Sequence, residues 1–267
     1  MKYGAMNFPI KPVMDELKKI SDLGFDYFEL SLDPPCAHYA SILEMENEIA
    51  MALEQYSMDI ICHLPSFVYT ADLCPAIRDI SLKEMIHSLK TAARIGAKKA
   101  VLHPSFISGL GLFVMETAKE YAHESLGAIV KEAARLEIDL CFENMYPGYN
   151  SFFDPRHFQK IFQDFPSLKM CLDTGHGNID DPYNTRLFEF VQKIPDKIGH
   201  VHVSDNCGKK DDHLGVGQGN INFEKFITQL TRSGYNDTIT LEIFSENTRD
   251  VLDSREKISS MVKLARI

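Results

Sequence analysis

The sequence predicts an α/β protein that folds as a single-domain (β/α)8 barrel over residues 1–267, and three observations lead to this prediction. The chain has 267 residues, which suits one large α/β domain better than two ordinary ones. Short apolar strand-like segments alternate with helix-like segments from end to end, as in a parallel sheet with right-handed crossovers. Eight such units in about 250 residues match the size of a closed barrel. The alternative is an open doubly wound sheet. A dinucleotide-binding version of that fold would require a glycine-rich turn after the first strand, and the sequence has none there.

The predicted strands are short and rich in apolar residues, many of them β-branched or aromatic. They are Lys2–Met6, Tyr27–Leu32, Asp59–His63, Ala100–His103, Ile138–Glu143, Lys169–Asp173, Ile198–Val203 and Thr238–Phe244.

Between the strands, apolar residues recur three and four positions apart, which predicts amphipathic helices. The five clearest stripes are Val13, Leu17 and Ile20; Leu82, Met85, Ile86, Leu89 and Ala93; Leu126, Ile129, Val130 and Ala133, which mark the longest helix; Leu187, Val191 and Ile194; and Phe223, Phe226, Ile227 and Leu230. Glycine or proline follows four of these stripes, at Gly24, Gly96, Pro195 and Gly234, where a helix is expected to stop.

Charge and cysteine usage narrow the class of protein. The formal net charge is −10, whereas proteins whose main partner is a phosphate backbone more often carry a basic excess. Nucleic acid is therefore disfavoured as a partner, although a local basic patch could still bind it. Six scattered cysteines without a C-x-x-C pair indicate thiols in a reducing compartment, so we expect a cytoplasmic protein. No apolar run is long enough to cross a bilayer, and we expect no membrane partner.

Residues that can bind a metal ion end six consecutive predicted strands. They are His63, His103, Glu143, Asp173 followed by His176, His202, and Glu242; the loop after the seventh strand adds Asp211 and His213. Each of them alone has an ordinary explanation as a packed histidine, a helix cap or a solvated charge. With 38 acidic residues and 10 histidines among 267, about one position in six is of this type, so six matches in a row are improbable by accident. Because the carboxyl ends of barrel strands converge on one face, we expect these side chains to meet there.

The residue types indicate which ions such a cluster would hold. Several carboxylates mixed with imidazoles, without an obvious thiolate partner, suit zinc, manganese, iron or cobalt better than a structural cysteine-rich zinc site. A divalent cation would also remove the penalty of burying several acids near a barrel axis. Strand alternation places Cys141, Cys171 and His200 in the layer below, where we expect packing for the cysteines. Glu29, in the second strand, is explained by a salt bridge or a cap as well as by catalysis.

The sequence resembles the xylose isomerase-like TIM barrel superfamily, which includes endonuclease IV and sugar isomerases and epimerases. The similarity covers nearly the whole chain, and its most specific motifs are EN at 143–144, DTGH at 173–176, HVHVSD at 200–205, DDH at 211–213 and GVGQGNI at 215–221. For the isomerase and epimerase branch, the resemblance implies one metal held by Glu143, Asp173, His202 and Glu242. For endonuclease IV, it implies three zinc ions. His63 and His103 would hold the first with Glu143, which bridges to the second, and His176, Asp211 and His213 would hold the third.

Two functions therefore stay open, with zinc or manganese as the cofactor and one to three ions per chain. The first is a sugar or sugar-phosphate isomerase or epimerase, in which Glu143 and Glu242 transfer protons through a metal-stabilised enediolate. His176 could then donate a hydrogen bond to the substrate instead of binding metal.

The second is a phosphodiesterase or phosphoesterase resembling endonuclease IV, which the nine-residue set favours. Against a DNA substrate stand the acidic charge, the first strand ending AMNFP where the endonucleases carry a histidine, and the absence of arginine in the loop LDPPCAHYAS. A small phosphate ester would avoid these objections. A third hypothesis, a degenerate barrel that only binds a ligand, is disfavoured by the intact ligand set. The GVGQGN run at 215–220 resembles a phosphate cradle, but a turn before the next helix explains it better.

Overall fold

Eight parallel strands form a closed barrel in which each strand pairs with the next along the chain and the eighth pairs with the first. This computed structural model describes residues 1–149 and 152–266. The (β/α)8 barrel predicted from the sequence is therefore confirmed, and the open-sheet alternative is wrong. Asn150, Ser151 and Ile267 fall within the predicted domain range but lie outside the described residues, and the single-domain organisation stays a prediction.

The strand bounds agree closely with those expected. The strands are β1 Lys2–Met6, β2 Tyr27–Ser31, β3 Asp59–His63, β4 Lys99–Leu102, β5 Asp139–Glu143, β6 Lys169–Asp173, β7 Ile198–Val203 and β8 Thr238–Leu241. Strands β4 and β8 stop earlier than predicted, so His103 and Glu242 lie one residue past a strand end. The backbone still follows the sheet at Glu242, whose N–H donates to the carbonyl of Val203 at 3.0 Å. Both side chains thus keep the place at the barrel mouth that the sequence predicts.

Ten α-helices lie outside the barrel or at its rim within the described residues. They are α1 Val13–Asp22, α2 Tyr39–Glu44, α3 Glu46–Tyr56, α4 Pro75–Arg94, α5 Met115–Arg135, α6 Pro155–Asp164, α7 Thr174–Asn178, α8 Thr185–Lys193, α9 Phe223–Arg232 and α10 Thr248–Ala265. The five predicted stripes lie on α1, α4, α5, α8 and α9, and α5 is the longest helix, as expected. Gly96 and Gly234 follow α4 and α9 with φ angles of 93° and 91°, a conformation that favours glycine and ends a helix.

Side-chain caps define the start of several helices that the apolar periodicity did not reveal. Asp154 precedes α6 and accepts a hydrogen bond from the N–H of Arg156 at 2.9 Å, and Pro155 occupies the first helical position. Asn247 caps α10 in the same way, accepting from the N–H of Arg249 at 3.1 Å. Such caps satisfy N–H groups that the first turn of a helix leaves without partners.

The core has two layers, as strand alternation requires. The outer faces of the strands pack against the helices through residues such as Leu30, Leu102 and Leu172. Inside the barrel, Cys141 and Cys171 form a small buried cluster with Val101, which is the packing role expected of both cysteines. Among the described residues, no helix is both long and apolar enough to cross a membrane.

Candidate metal centre

The carboxyl ends of the strands bring the sequence-predicted residues to one mouth of the barrel. His63, Glu143 and Asp173 are the last residues of β3, β5 and β6, and His202 is the penultimate residue of β7. His176 lies in α7, directly after β6, while Asp211 and His213 lie in the segment between β7 and α9. All nine residues take part in contacts with one another, described below group by group.

The first group consists of His63, His103 and Glu143, whose candidate ligand atoms lie within 4.8 Å of one another. The Nε2 atoms of His63 and His103 are 3.4 Å and 3.3 Å from Oε2 of Glu143. The Nδ1 of His63 donates to the carbonyl oxygen of Leu64 at 2.8 Å. Because Nδ1 carries that proton, the neutral ring presents the lone pair of Nε2 to the group, which is the form that binds a metal.

The second group consists of Glu143, Asp173, His202 and Glu242, and its candidate ligand atoms also lie within 4.8 Å of one another. The Nδ1 of His202 is 3.2 Å from Glu242 Oε2, 3.4 Å from Glu143 Oε2 and 4.0 Å from Asp173 Oδ2. Three carboxylates therefore surround one imidazole nitrogen. Glu143 belongs to both groups and connects them.

The third group contains His176, Asp211 and His213. The Oδ2 of Asp211 is 3.2 Å from Nε2 of His176 and 3.0 Å from Nε2 of His213. On its other side, the Nδ1 of His176 is 3.1 Å from Oε1 of Glu143, so this group adjoins the first two. His213 adopts a left-handed backbone conformation with a φ of 47°, which is unusual for a residue with a side chain and indicates that its surroundings hold it.

Unpartnered polar atoms test whether these residues suit a metal ion. Four buried atoms without any hydrogen bond belong to the expected ligands: Glu143 Oε1, Asp173 Oδ2, His202 Nδ1 and Asp211 Oδ1. A buried carboxylate oxygen or imidazole nitrogen without a partner is costly, and native structures contain few of them. Oxygen and nitrogen donors without thiolates are the set that a divalent cation of the zinc or manganese type accepts. The residues present therefore fit such an ion.

Burial and like charges also perturb the protonation of the groups. Burial, together with the nearby carboxylates of Glu143, Glu242 and Asp211, raises the pKa of Asp173 to about 7 against the lowering influence of His176. Burial alone would lower the pKa of His213, but Glu242 and Asp211 raise it to about 9. This concentration of perturbed acids and bases in one mouth is typical of functional sites.

Glu29 contacts two histidines inside the barrel, and its partners could not be identified from the sequence. Its side chain is completely buried inside the barrel, where Oε1 accepts from Nε2 of His202 at 2.9 Å and Oε2 accepts from Nε2 of His200 at 3.0 Å. Burial would raise the pKa of Glu29, but the two histidines hold it well below its usual range. The sequence signal was a glutamate in the apolar segment YFEL, since a charge buried there requires partners.

Asn144 follows Glu143 in the EN motif and connects the ends of two neighbouring strands. Its Nδ2 donates to the carbonyl of Asp173 at 3.0 Å, and its Oδ1 accepts from the N–H of Asp173 at 2.8 Å. This two-point contact joins the ends of β5 and β6. It fixes the separation of the backbones that carry Glu143 and Asp173.

A family model described as xylose isomerase-like TIM barrel matches residues 17–264 of the chain. The chain belongs to this family. Among its relatives, the uncharacterized protein MJ1311 from Methanocaldococcus jannaschii is 27% identical over an alignment of 272 positions, which covers 99% of this chain and 90% of that protein. A probable endonuclease 4 from Aquifex aeolicus is 25% identical, with 93% of each chain covered. The L-ribulose-5-phosphate 3-epimerase UlaE from Escherichia coli O1:K1 is 24% identical, over 94% of this chain and 88% of that enzyme.

Solved structures resemble the barrel over its whole length. A D-tagatose 3-epimerase-like protein superposes with a TM-score of 0.86 at 25% identity, covering 100% of this chain and 98% of the other. The TTHB071 protein from Thermus thermophilus, in a crystal soaked with ZnCl2, gives a TM-score of 0.76 at 21% identity, with 98% of each chain covered. The resemblance expected from the sequence is thereby confirmed, and the named relatives in the family include sugar epimerases.

Proposed function

We propose that this protein is a metal-dependent sugar or sugar-phosphate isomerase or epimerase. The observation that carries the proposal is the second group, in which Glu143 and Glu242 approach the same nitrogen of His202 from β5 and from the end of β8. The epimerases among its relatives support the same choice. The substrate would be a small ketose or its phosphate.

Glu143, Asp173, His202 and Glu242 would hold a divalent ion, zinc or manganese. When bound, such an ion stabilises negative charge on a carbonyl oxygen and its neighbouring hydroxyl, which makes the adjacent C–H more acidic. The chain's own contribution is orientation. Glu29 accepts the Nε2 proton of His202 and leaves Nδ1 directed at the carboxylates.

Glu143 and Glu242 would act as the base and acid that remove and return the proton. Burial would raise the pKa of both carboxyl groups, but neighbouring histidines lower it below the ordinary value. One carboxylate would take the proton from the substrate carbon, and the other would deliver to the opposite face a proton that it has first taken up from solvent. Because they arrive from strands on different sides of the mouth, they can face opposite faces of a substrate carbon. This arrangement suits inversion at a carbon next to a carbonyl.

Solvent exchange tests the proposal directly. Incubation with ketoses and ketose phosphates in D2O should introduce deuterium at the carbon beside the carbonyl, as followed by NMR. Exchange should stop after chelation and return with manganese or zinc. Glu242→Gln should remove it, whereas Glu246→Gln, an exposed neighbour outside all three groups, should not. Absence of exchange with any ketose in the metal-loaded wild type would contradict the proposal.

Phosphoester hydrolysis is the second candidate, and the third group is the observation that favours it. His176, Asp211 and His213 contact one another and adjoin Glu143, which would allow more than one ion per chain. Paired ions stabilise both the attacking and the leaving oxygen of a phosphate ester. The similarity to a probable endonuclease 4 is consistent with this chemistry.

Metal content separates the candidates. Elemental analysis after purification without chelator should give about one ion per chain, with manganese or cobalt dependence, for the isomerase. Three ions with zinc dominant, together with hydrolysis of bis(p-nitrophenyl) phosphate or of an abasic-site duplex, would instead establish the hydrolase.

The cysteines bear on the cellular compartment of the protein. All six are free, which supports a reducing compartment, and we propose the cytoplasm.

A further inference from the structure

The segment of residues 206–221, between β7 and α9, carries Asp211 and His213, and one carboxylate lies at its base. Asp205 is completely buried two residues after β7. Its Oδ2 accepts from the N–H groups of Gly217 and Gly219, both at 2.9 Å. Its Oδ1 accepts from the N–H groups of Asn206 at 2.9 Å and Ile221 at 3.2 Å. Four backbone donors therefore converge on a single side chain.

The backbone of Asp205 holds the same segment at a second point. Its N–H and carbonyl exchange hydrogen bonds with the carbonyl and N–H of Leu214, both at 2.9 Å. Leu214 directly follows His213, whose left-handed backbone requires external support. The side chain of Asp205 thus holds the glycine-rich turn, while its main chain holds the residue next to the histidine.

Two glycines of this turn are explained without a bound phosphate: Gly217 has a positive φ of 83°, and Gly219 lies against the Asp205 carboxylate. A side-chain carbon at position 219 would overlap both the Asp205 carboxylate and the carbonyl oxygen of Asn206. Successive backbone N–H groups of this kind form a site for an anion, and here an internal anion already occupies it. The GVGQGN run is therefore the turn before α9 that the sequence favoured.

We infer that Asp205 is a positioning residue that fixes segment 206–221 and thereby sets Asp211 and His213 against His176. Hydrogen bonds to a charged acceptor contribute more than neutral ones, so a neutral residue at 205 should release the segment. The part of the inference that concerns metal rests on the second candidate function above, in which His176, Asp211 and His213 hold an ion of their own. The ordering of the segment does not depend on it.

Trypsin tests the ordering in the metal-free protein, because Lys209 and Lys210 are exposed cleavage sites within the segment. Asp205→Asn should speed cleavage at these two lysines by about tenfold or more, measured by mass spectrometry, since local opening controls the rate. Asp33→Asn is the matched control. Asp33 is also a buried carboxylate that anchors a loop, accepting from the N–H of Ser66 at 2.9 Å, but that loop follows β3. The Asp33→Asn variant should leave cleavage at Lys209 and Lys210 unchanged.

A second variant disturbs the contact between Asp205 and Gly219 by changing the glycine. Gly219→Ala would push a methyl group against the carboxylate, and it should also speed cleavage, which keeps the test decisive if Asp205→Asn does not fold. Cleavage rates equal to wild type in both variants, or equal acceleration in Asp33→Asn, would overturn the inference.

Zinc content gives a readout that general destabilisation would not produce. If the wild type binds three zinc ions, Asp205→Asn should hold about one fewer, while Asp33→Asn keeps all three. If the wild type binds a single ion, held by the second group, both variants should keep it, and loss of that ion in Asp205→Asn alone would contradict a role confined to segment 206–221. Loss of every ion, or of none, in a folded Asp205→Asn protein that starts from three would contradict the positioning role. If the wild type itself binds no metal, the proposed function fails, and the trypsin rates alone decide the role of Asp205.

Discussion

The Nε2 atom of His202 lies 2.9 Å from Oε1 of Glu29, and neither side chain has any exposed surface. A carboxylate accepts only, so the imidazole donates from Nε2, and Nδ1 faces Glu143 and Glu242. Burial would lower the pKa of His202, but the neighbouring acids, Glu29 and Glu143 among them, raise it well above its usual range, so a bound ion would take the place of the Nδ1 proton. The chain thereby contains a carboxylate–histidine pair of the type that orients metal ligands.

Replacement of this carboxylate should weaken metal binding without removing a ligand. We expect Glu29→Gln to lower the affinity for zinc or manganese by roughly 10- to 100-fold, because the amide can present its NH2 group to His202 and no longer fixes the tautomer. Competition with a chromophoric chelator would measure the change. Glu16→Gln is the control, since Glu16 is a buried glutamate that accepts instead from the N–H of Phe8. Unchanged affinity in Glu29→Gln would refute the orienting role.

Glu143 should be indispensable under either candidate function. Its Oε2 lies 3.3–3.4 Å from His63, His103 and His202, so it belongs to two groups at once. We expect Glu143→Gln to reduce the rate of deuterium exchange, or of ester hydrolysis, by at least about a hundredfold. Steady-state assays of the metal-loaded variant check this, with circular dichroism to establish that it is folded. A variant that retains most of its activity would be incompatible with both candidates.

His213 should distinguish the candidates. Asparagine is the best replacement, because it tolerates the left-handed backbone at this position. For a sugar isomerase, we expect His213→Asn to slow proton exchange by less than about tenfold, because His213 lies outside the group that carries Glu143 and Glu242. A loss of more than about a hundredfold, accompanied by loss of a bound ion, would favour the hydrolase.

The raised pKa of His213 predicts a specific pH dependence of stability. The pKa of about 9 in the folded, metal-free protein exceeds the ordinary value of 6.5, so the folded state holds the proton more tightly than the unfolded chain. The stabilisation is therefore complete below pH 6.5 and is lost as the pH rises to about 9. Urea unfolding of chelator-treated wild type and His213→Asn should show a stability difference that shrinks by about 1–3 kcal/mol across this window. A difference that grows with pH would contradict the assignment.

The parts of the structure that the sequence could predict depend on local periodicity. Apolar runs and helical stripes mark the strands and five of the helices, because burial of one face imposes a fixed spacing on nearby residues. Ligand-type residues stand at the ends of these runs, and the convergence of barrel strands on one face is enough to predict that their side chains lie together. The end of β8 at Leu241 could not be predicted from the apolar pattern. Ile243 is also buried and continues the apolar alternation after the hydrogen-bonded strand has ended.

The relationships that sequence reasoning missed join residues far apart in the chain. Glu29 and His202 are 173 positions apart, and no period within β2 reveals which strand supplies the partner. Asn144 gives no signal either, because its two hydrogen bonds go to the backbone of Asp173 and do not depend on the side chain there. The DTGH motif predicts ligands but not helix α7, for which Asp173 serves as the N-cap. One residue can satisfy two requirements, and a sequence pattern shows only one of them.

The position of Glu143 has a consequence for any titration of the protein with metal. Ions held by the first and second groups would share this carboxylate, so occupancy of one must alter the free energy of filling the other. Thermodynamic linkage makes the effect mutual, with the same factor in either order of addition. Binding isotherms would then be cooperative or anticooperative, and two independent constants would fail to describe them.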